Sequence, residues 1–149
     1  MDGPWTTHIE GMNRAVEAGD TTVAVRAWRD GYAAALDHPG WAGLVQVAAA
    51  SVRMGVLPGM RKACESRARD TYWTALFRAR KQGSINGVLQ TAEAFGSLGD
   101  RGMVEQCIKV AEALAALGGD ADAASRVRTL TADLVRRYVE AAGVAWNRA

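Results

Sequence analysis

Glycine punctuates this chain at intervals of roughly twenty residues, at Gly19, Gly40, Gly59, Gly83, Gly99 and Gly119. Four of these are followed at once by a residue able to cap a helix: Gly19-Asp20, Gly83-Ser84, Gly99-Asp100 and Gly119-Asp120. Glycine accepts the left-handed backbone that ends a helix, and an Asp or Ser oxygen accepts hydrogen bonds from the amides that open the next one. Each interval therefore holds one helix and one tight turn. Turns that short oblige consecutive helices to run antiparallel.

The intervals predict helices over residues 4–18, 21–36, 41–54, 60–82, 85–98, 101–117 and 121–142, and their apolar residues recur at helical spacing. Trp5, Ile9, Met12 and Val16 line one face of the first. Val25, Trp28, Tyr32, Ala35 and Leu36 line the second. In the sixth, Val104, Cys107, Ile108, Ala111, Leu114 and Leu117 form one wide stripe, opposite a polar side where Glu105 and Lys109 stand one turn apart as a favourable pair. No stretch alternates apolar and polar residues between turns as a strand would. The expected fold is all-α: about seven helices in antiparallel hairpins, stacked as a short solenoid or compact bundle, in one domain spanning residues 1–149.

Adjacent helices taken in pairs make a repeat of about 40 residues. From Gly19 the chain reads Gly-Asp, then Ala24, Trp28 and Gly31; from Gly99 it reads Gly-Asp, then Val104, Ile108 and Ala111; Gly83-Ser84, Val88, Ala92 and Phe95 repeat the theme. These positions resemble the second helix of a tetratricopeptide repeat over about half of the chain. The first-helix signature of that family is missing, and other helical-pair solenoids share the same punctuation. The resemblance implies a scaffold whose exposed faces bind other proteins.

Composition agrees with a folded chain: 49% of the residues are hydrophobic and 23% charged, and no segment is low in complexity. The most apolar run, residues 41–52, is interrupted by Gln46 and is too short for a bilayer, which needs about 20 apolar residues. The first residues carry an acid where a signal peptide carries bases, and no apolar stretch with a cleavage site follows, so the expected location is the cytoplasm. Cys64 and Cys107 lie 43 residues apart inside helical patterns and read as two buried thiols.

The motifs of catalysis are absent. His8 and His38 belong to no E-x-x-H or H-E-x-x-H pattern, no C-x-x-C occurs, and neither a dinucleotide-binding fingerprint nor a Walker pattern is present. Gly96-Ser97-Leu98-Gly99 lacks nucleophile-elbow spacing and reads as a helix end. His38, beside Asp37, could act as a base, but its turn Asp37-His38-Pro39-Gly40 reads as a solvent-facing connection. No catalytic residue, metal ligand or cofactor-binding residue is assigned, and nothing requires an enzyme.

Charge is unevenly spread. Residues 1–50 hold three bases against six acids, residues 51–81 eight against two, and the remainder seven against eight, for a total of +2. The basic block is Arg53, Arg61, Lys62, Arg67, Arg69, Arg78, Arg80 and Lys81, nearly all on the predicted fourth helix. On a wheel of about 100° per residue, Cys64, Ala68, Tyr72, Ala75 and Ala79 make a narrow inner stripe. Trp73 and Phe77 fall well off it, near Lys62, Arg69 and Arg80.

Three readings of that face follow. The aromatics could form a second core contact with bases snorkelling around it; they could anchor a protein partner, as Trp and Arg do at interfaces; or the bases could take phosphates while the aromatics stack on nucleobases. The small net charge and pI near 8.7 disfavour the last. Of the five tryptophans most should be packing residues; Trp146, near the end of the sequence, either docks back on the last helix, the favoured reading, or reaches a partner.

The function expected is a non-enzymatic protein-binding scaffold or adaptor using Lys62, Arg69, Trp73, Phe77 and Arg80. The alternatives are a small-ligand sensor or helical enzyme with a tryptophan-lined pocket between helices and His38 or a buried carboxylate as its polar group, and a nucleic-acid-binding accessory. Self-association is a further option, because end helices of an array must be capped or paired.

Overall fold

The architecture is that of a computed structural model of the chain, which describes residues 3–140. Every element among the described residues is helical: α1 (Thr6–Glu17), α2 (Thr21–Asp37), α3 (Ala42–Met54), α4 (Arg61–Lys81), α5 (Ile85–Ser97), α6 (Arg101–Gly118), α7 (Ala121–Leu134) and a π-helical continuation, Val135–Glu140. The described residues therefore adopt the expected all-α fold of seven helices. The seventh departs from its expected form, because its last turns widen to a π-helix from Val135 onward.

The turns work as their chemistry demands. At three of them one residue serves two helices. The amides of Asp20, Ser84 and Asp100 donate back to the carbonyls of Ala15, Ala79 and Phe95, at 2.9, 2.8 and 3.0 Å, closing the helix behind. Their side chains accept from the amides of Val23, Gly87 and Met103, at 3.2, 3.0 and 3.2 Å, opening the helix ahead. Asp120 Oδ1 caps α7 through the amides of Asp122 and Ala123. The glycines of these turns, and Gly59, sit at φ between +67° and +78°.

Gly40 is the exception to the expected pattern of left-handed stops. It has no positive φ, and α2 ends instead at an extended His38, whose Nδ1 accepts from the Gly40 amide at 3.1 Å. The Pro39 ring fixes this turn, so the glycine need not.

Packing divides the chain into two compact units, Met1–Arg78 and Ala79–Ala149, the boundary falling within α4. In the first unit α1 and α2 form a hairpin, and α3 packs on both. The core gathers Met12, Ala24, Trp28, Ala50, Met54 and Cys64 in one cluster, and Trp5, Ala35, Leu44, Val47 and Ala75 in another. Alanine at so many of these positions lets helices approach closely and leaves room for two tryptophans. Trp28 is fully buried and donates its indole N–H to the Val47 carbonyl at 2.7 Å. Trp5 lies across Gly43, where a Cβ would stand 2.8 Å from the ring, and its indole donates to Gln46 Oε1 at 2.8 Å.

In the second unit α5 and α6 pair as a hairpin, and α7 with its π-helical end packs on both. Val88, Ala92, Phe95, Val104, Cys107, Ile108 and Ala111 are buried there. The apolar stripe expected on α6 stops short of Leu117, which is 85% exposed. The cause is length: α6 has 18 residues against 13 in α5, so its last turn runs past its hairpin partner. Glu105 also pairs in the other direction, with Arg101 at 3.4 Å rather than with Lys109. No described helix is long and apolar enough to cross a membrane.

Candidate functional site: the outer face of α4

Helix α4 has a sharply defined inside. Cys64, Ala68, Thr71, Tyr72, Ala75, Leu76 and Ala79 are buried, occupying a little under half of the helical circumference. Burial raises the Cys64 thiol above its ordinary range, the Ser51 hydroxyl and Arg67 opposing the shift, and burial likewise raises the Tyr72 phenol against a smaller opposing effect of Arg53. These groups are neutral packing material at neutral pH. Ser51 Oγ donates to the Cys64 carbonyl at 2.9 Å and ties α3 to α4.

The outside carries the aromatics. Trp73 is 50% and Phe77 66% exposed, one turn apart on the same side of the helix. This overturns the reading in which they form a second core contact: the buried arc ends at Leu76, and an advance of one residue carries Phe77 about 100° out of it. Lys62 is exposed and Arg69 half-buried on nearly the same bearing. Arg80, also exposed, lies on the final turn of α4, within the second unit. Among the predicted contact residues, Lys62, Arg69, Trp73 and Phe77 are thus brought together on the first unit.

Three further members of the basic block have other partners. Arg61 pairs with Glu65 at 3.1 Å. The Arg67 guanidinium lies 5.0 Å from the centroid of the Trp28 ring, which in turn stacks on Tyr32 at 5.1 Å and 14°. Arg78 turns away from the patch and donates to the carbonyls of Ala35, Leu36, His38 and Gly40, at the C-terminal end of α2.

Beside the aromatic face runs a feature that sequence reasoning missed, an open groove between α2 and α4 with a volume of ≈ 430 Å³, lined by Tyr32, Ala63, Ser66, Arg67 and Asp70 over Trp28. Its one signal in the sequence is the pair of small residues Ala63 and Ser66, three apart on an otherwise charged stretch, which lowers the wall of the helix there.

His38 lines no part of this groove. Its ring meets Trp5 edge-on at 5.2 Å, its Nδ1 holds the turn, and its carbonyl accepts from Arg78. A second groove, of ≈ 260 Å³, lies in the other unit between α5 and α7, where Ile85, Leu89, Val127 and Leu130 form the floor and Arg126 one rim. Among the described residues no cluster of His, Cys, Asp and Glu converges as a metal site would. Burial, with the nearby Asp100 carboxylate adding to it, pushes the Cys107 thiol up to about 12. Trp146 lies outside the described residues.

No family model, curated protein or solved structure matches the chain.

Proposed function

We propose that the chain is a non-enzymatic, tetratricopeptide-like helical-pair module that binds another protein through the outer face of α4, with Lys62, Arg69, Trp73 and Phe77 as the contact residues and Arg80 extending the basic side of the helix. The observation that carries this reading is the exposure of Trp73 and Phe77 as neighbours on one rigid helix, 50% and 66%. Water gains nothing from such a pair, whereas aromatics ringed by arginine and lysine are the anchors that dominate protein interfaces. A helical surface held by a packed core presents them at fixed spacing, with little ordering cost on binding.

An adaptor role in the reducing cytoplasm accords with two buried, free cysteines whose thiols are held in the neutral form. The total charge of +2 favours a protein over a nucleic acid as the occupant.

The test is photocrosslinking from p-benzoyl-phenylalanine in place of Phe77, in cells that carry the protein, with the same probe in place of the exposed Glu112 of α6 as reference. The expected result is a discrete protein adduct from position 77 alone, lost when Trp73→Ala is added. A nucleic-acid adduct from position 77, or the same adducts from both positions, would overturn the reading.

A further inference from the structure

We propose that the segment bound on α4 is an acidic amphipathic helix, seated along the groove between α2 and α4 with its apolar side chains over Trp73 and Phe77 and its carboxylates toward Lys62, Arg67 and Arg69. This rests on the protein-binding reading above and adds the chemistry and conformation of the partner.

Sign of charge is the first ground. Lys62 and Arg69 flank the aromatics on the same bearing, and Arg67 lines the groove on their other flank. Two acids stand nearby. Glu65 is engaged by Arg61 at 3.1 Å, and Asp70 lies one turn from Arg67 on the same α4 wall of the groove. The surface offered to a partner is therefore positive in sum, and a basic segment laid on it would meet like charge and lose affinity and association rate. Stacking on Trp28 does not remove Arg67 from this role, since a guanidinium whose face is covered still presents its N–H edge to a carboxylate.

Shape is the second ground. The described surface offers no strand edge for an extended peptide to join, so strand addition is not available and recognition falls to side chains. The aromatic pair supplies that spacing: Trp73 and Phe77 are one turn apart, which suits apolar partner residues three and four apart. Ala63 and Ser66 provide the low wall that lets a second helix axis approach. From Lys62 to Phe77 the helix rises about 22 Å, so a partner of about four turns covers the whole site. The bases of the first unit lie on the N-terminal side of the aromatics, which places the partner's carboxylates there toward the start of α4.

The experiment uses the full chain and two synthetic helical peptides of about four turns that share one leucine face, their polar faces made of glutamate in one and lysine in the other. Binding is read by fluorescence anisotropy of the labelled peptides, and folding of each variant by far-ultraviolet circular dichroism. We expect the glutamate peptide to bind at least tenfold tighter than the lysine peptide. Trp73→Ala with Phe77→Ala should weaken it at least tenfold, and Lys62→Glu with Arg69→Glu, which leaves the aromatics in place, should reverse the preference. Equal binding of the two peptides, still lost with the aromatics, would overturn the acidic partner and leave the protein-binding reading standing. Binding of the glutamate peptide that survives removal of both aromatics would overturn the site itself. Failure of both peptides to bind would overturn the helical partner, and photocrosslinking from position 77 would then decide the broader reading alone.

Discussion

The guanidinium of Arg78 donates to the carbonyl of Leu36 at 2.7 Å, joining residues 42 apart in sequence. The same group reaches the carbonyls of Ala35, His38 and Gly40, so one side chain on α4 satisfies the end of α2. Helix α2 has no base in its own last turn and no left-handed glycine behind it, which leaves those acceptors to be met from elsewhere. A five-donor guanidinium can serve several carbonyls at once from a rigid fork, and a compact lysine ammonium with three donors is less suited to it.

Arg78→Lys should therefore lower stability by about 1 kcal/mol and Arg78→Ala by about 2 kcal/mol, after allowance for partial exposure. Urea unfolding checks this. The expected result is a lower midpoint with an unchanged slope, and an Arg78→Lys variant as stable as the parent would mean that the carbonyls are served equally well by water.

Gly96→Ala should destabilise the second unit by about 1–3 kcal/mol, because a Cβ there would stand 2.5 Å from Cγ of Tyr138. Tyr138 is held in place by Arg137, whose guanidinium lies 5.0 Å from the ring centroid and pairs with Glu93 and Asp133, each at 2.9 Å. Thermal melts of Gly96→Ala, Tyr138→Ala and the double variant form the check. The double variant should lose less than the sum of the two singles, since the clash disappears with the ring.

Alkaline stability should fall because of Cys107. Burial, reinforced by Asp100, keeps its thiol neutral to about 12 in the folded chain, whereas an unfolded cysteine ionises near 8.5. Between those values the unfolded state gives up a proton that the folded state retains, so stability present below about pH 8.5 is lost as pH rises, at up to about 1.4 kcal/mol per pH unit. Urea unfolding at about pH 8 and about pH 10.5 should show the decline, and Cys107→Ala should make it shallower, leaving the part due to Cys64, while lowering the overall level through lost packing. A parent and variant with the same slope would remove Cys107 as its source.

Neighbouring residues on α4 should behave oppositely. Leu76 is buried, and Leu76→Ala should cost about 2–5 kcal/mol, as large-to-small changes in cores do. Phe77, 66% exposed, should tolerate Phe77→Ser within about 0.5 kcal/mol. Equal losses at 76 and 77 in chemical denaturation would show that Phe77 is packed rather than presented.

Much of the fold was legible because its signals are local. A glycine that ends a helix and an Asp or Ser that begins the next act within six residues of each other, so Asp20, Ser84, Asp100 and Asp120 announce their turns without any tertiary information. The inner stripe of α4 was equally readable, since Cys64, Ala68, Tyr72, Ala75 and Ala79 repeat at the helical period and all are buried. Where that reading faltered, a distant residue intervened: Gly40 is relieved of its turn by Pro39, His38 and Arg78, and Leu117 is left in water because its neighbouring helix is shorter.

The candidate site divides along the same line. Sequence by itself determined that α4 is basic and that Trp73 and Phe77 share a face with Lys62, Arg69 and Arg80, because a helix has one geometry and residue spacing converts directly to bearing. Only the tertiary structure decided that this face meets solvent, that Arg67 and Arg78 turn to Trp28 and the end of α2, and that a groove lies alongside. The physical reason is that bearing around a helix is set by bonds within the chain, whereas burial depends on which other helices arrive, and from how far along the sequence.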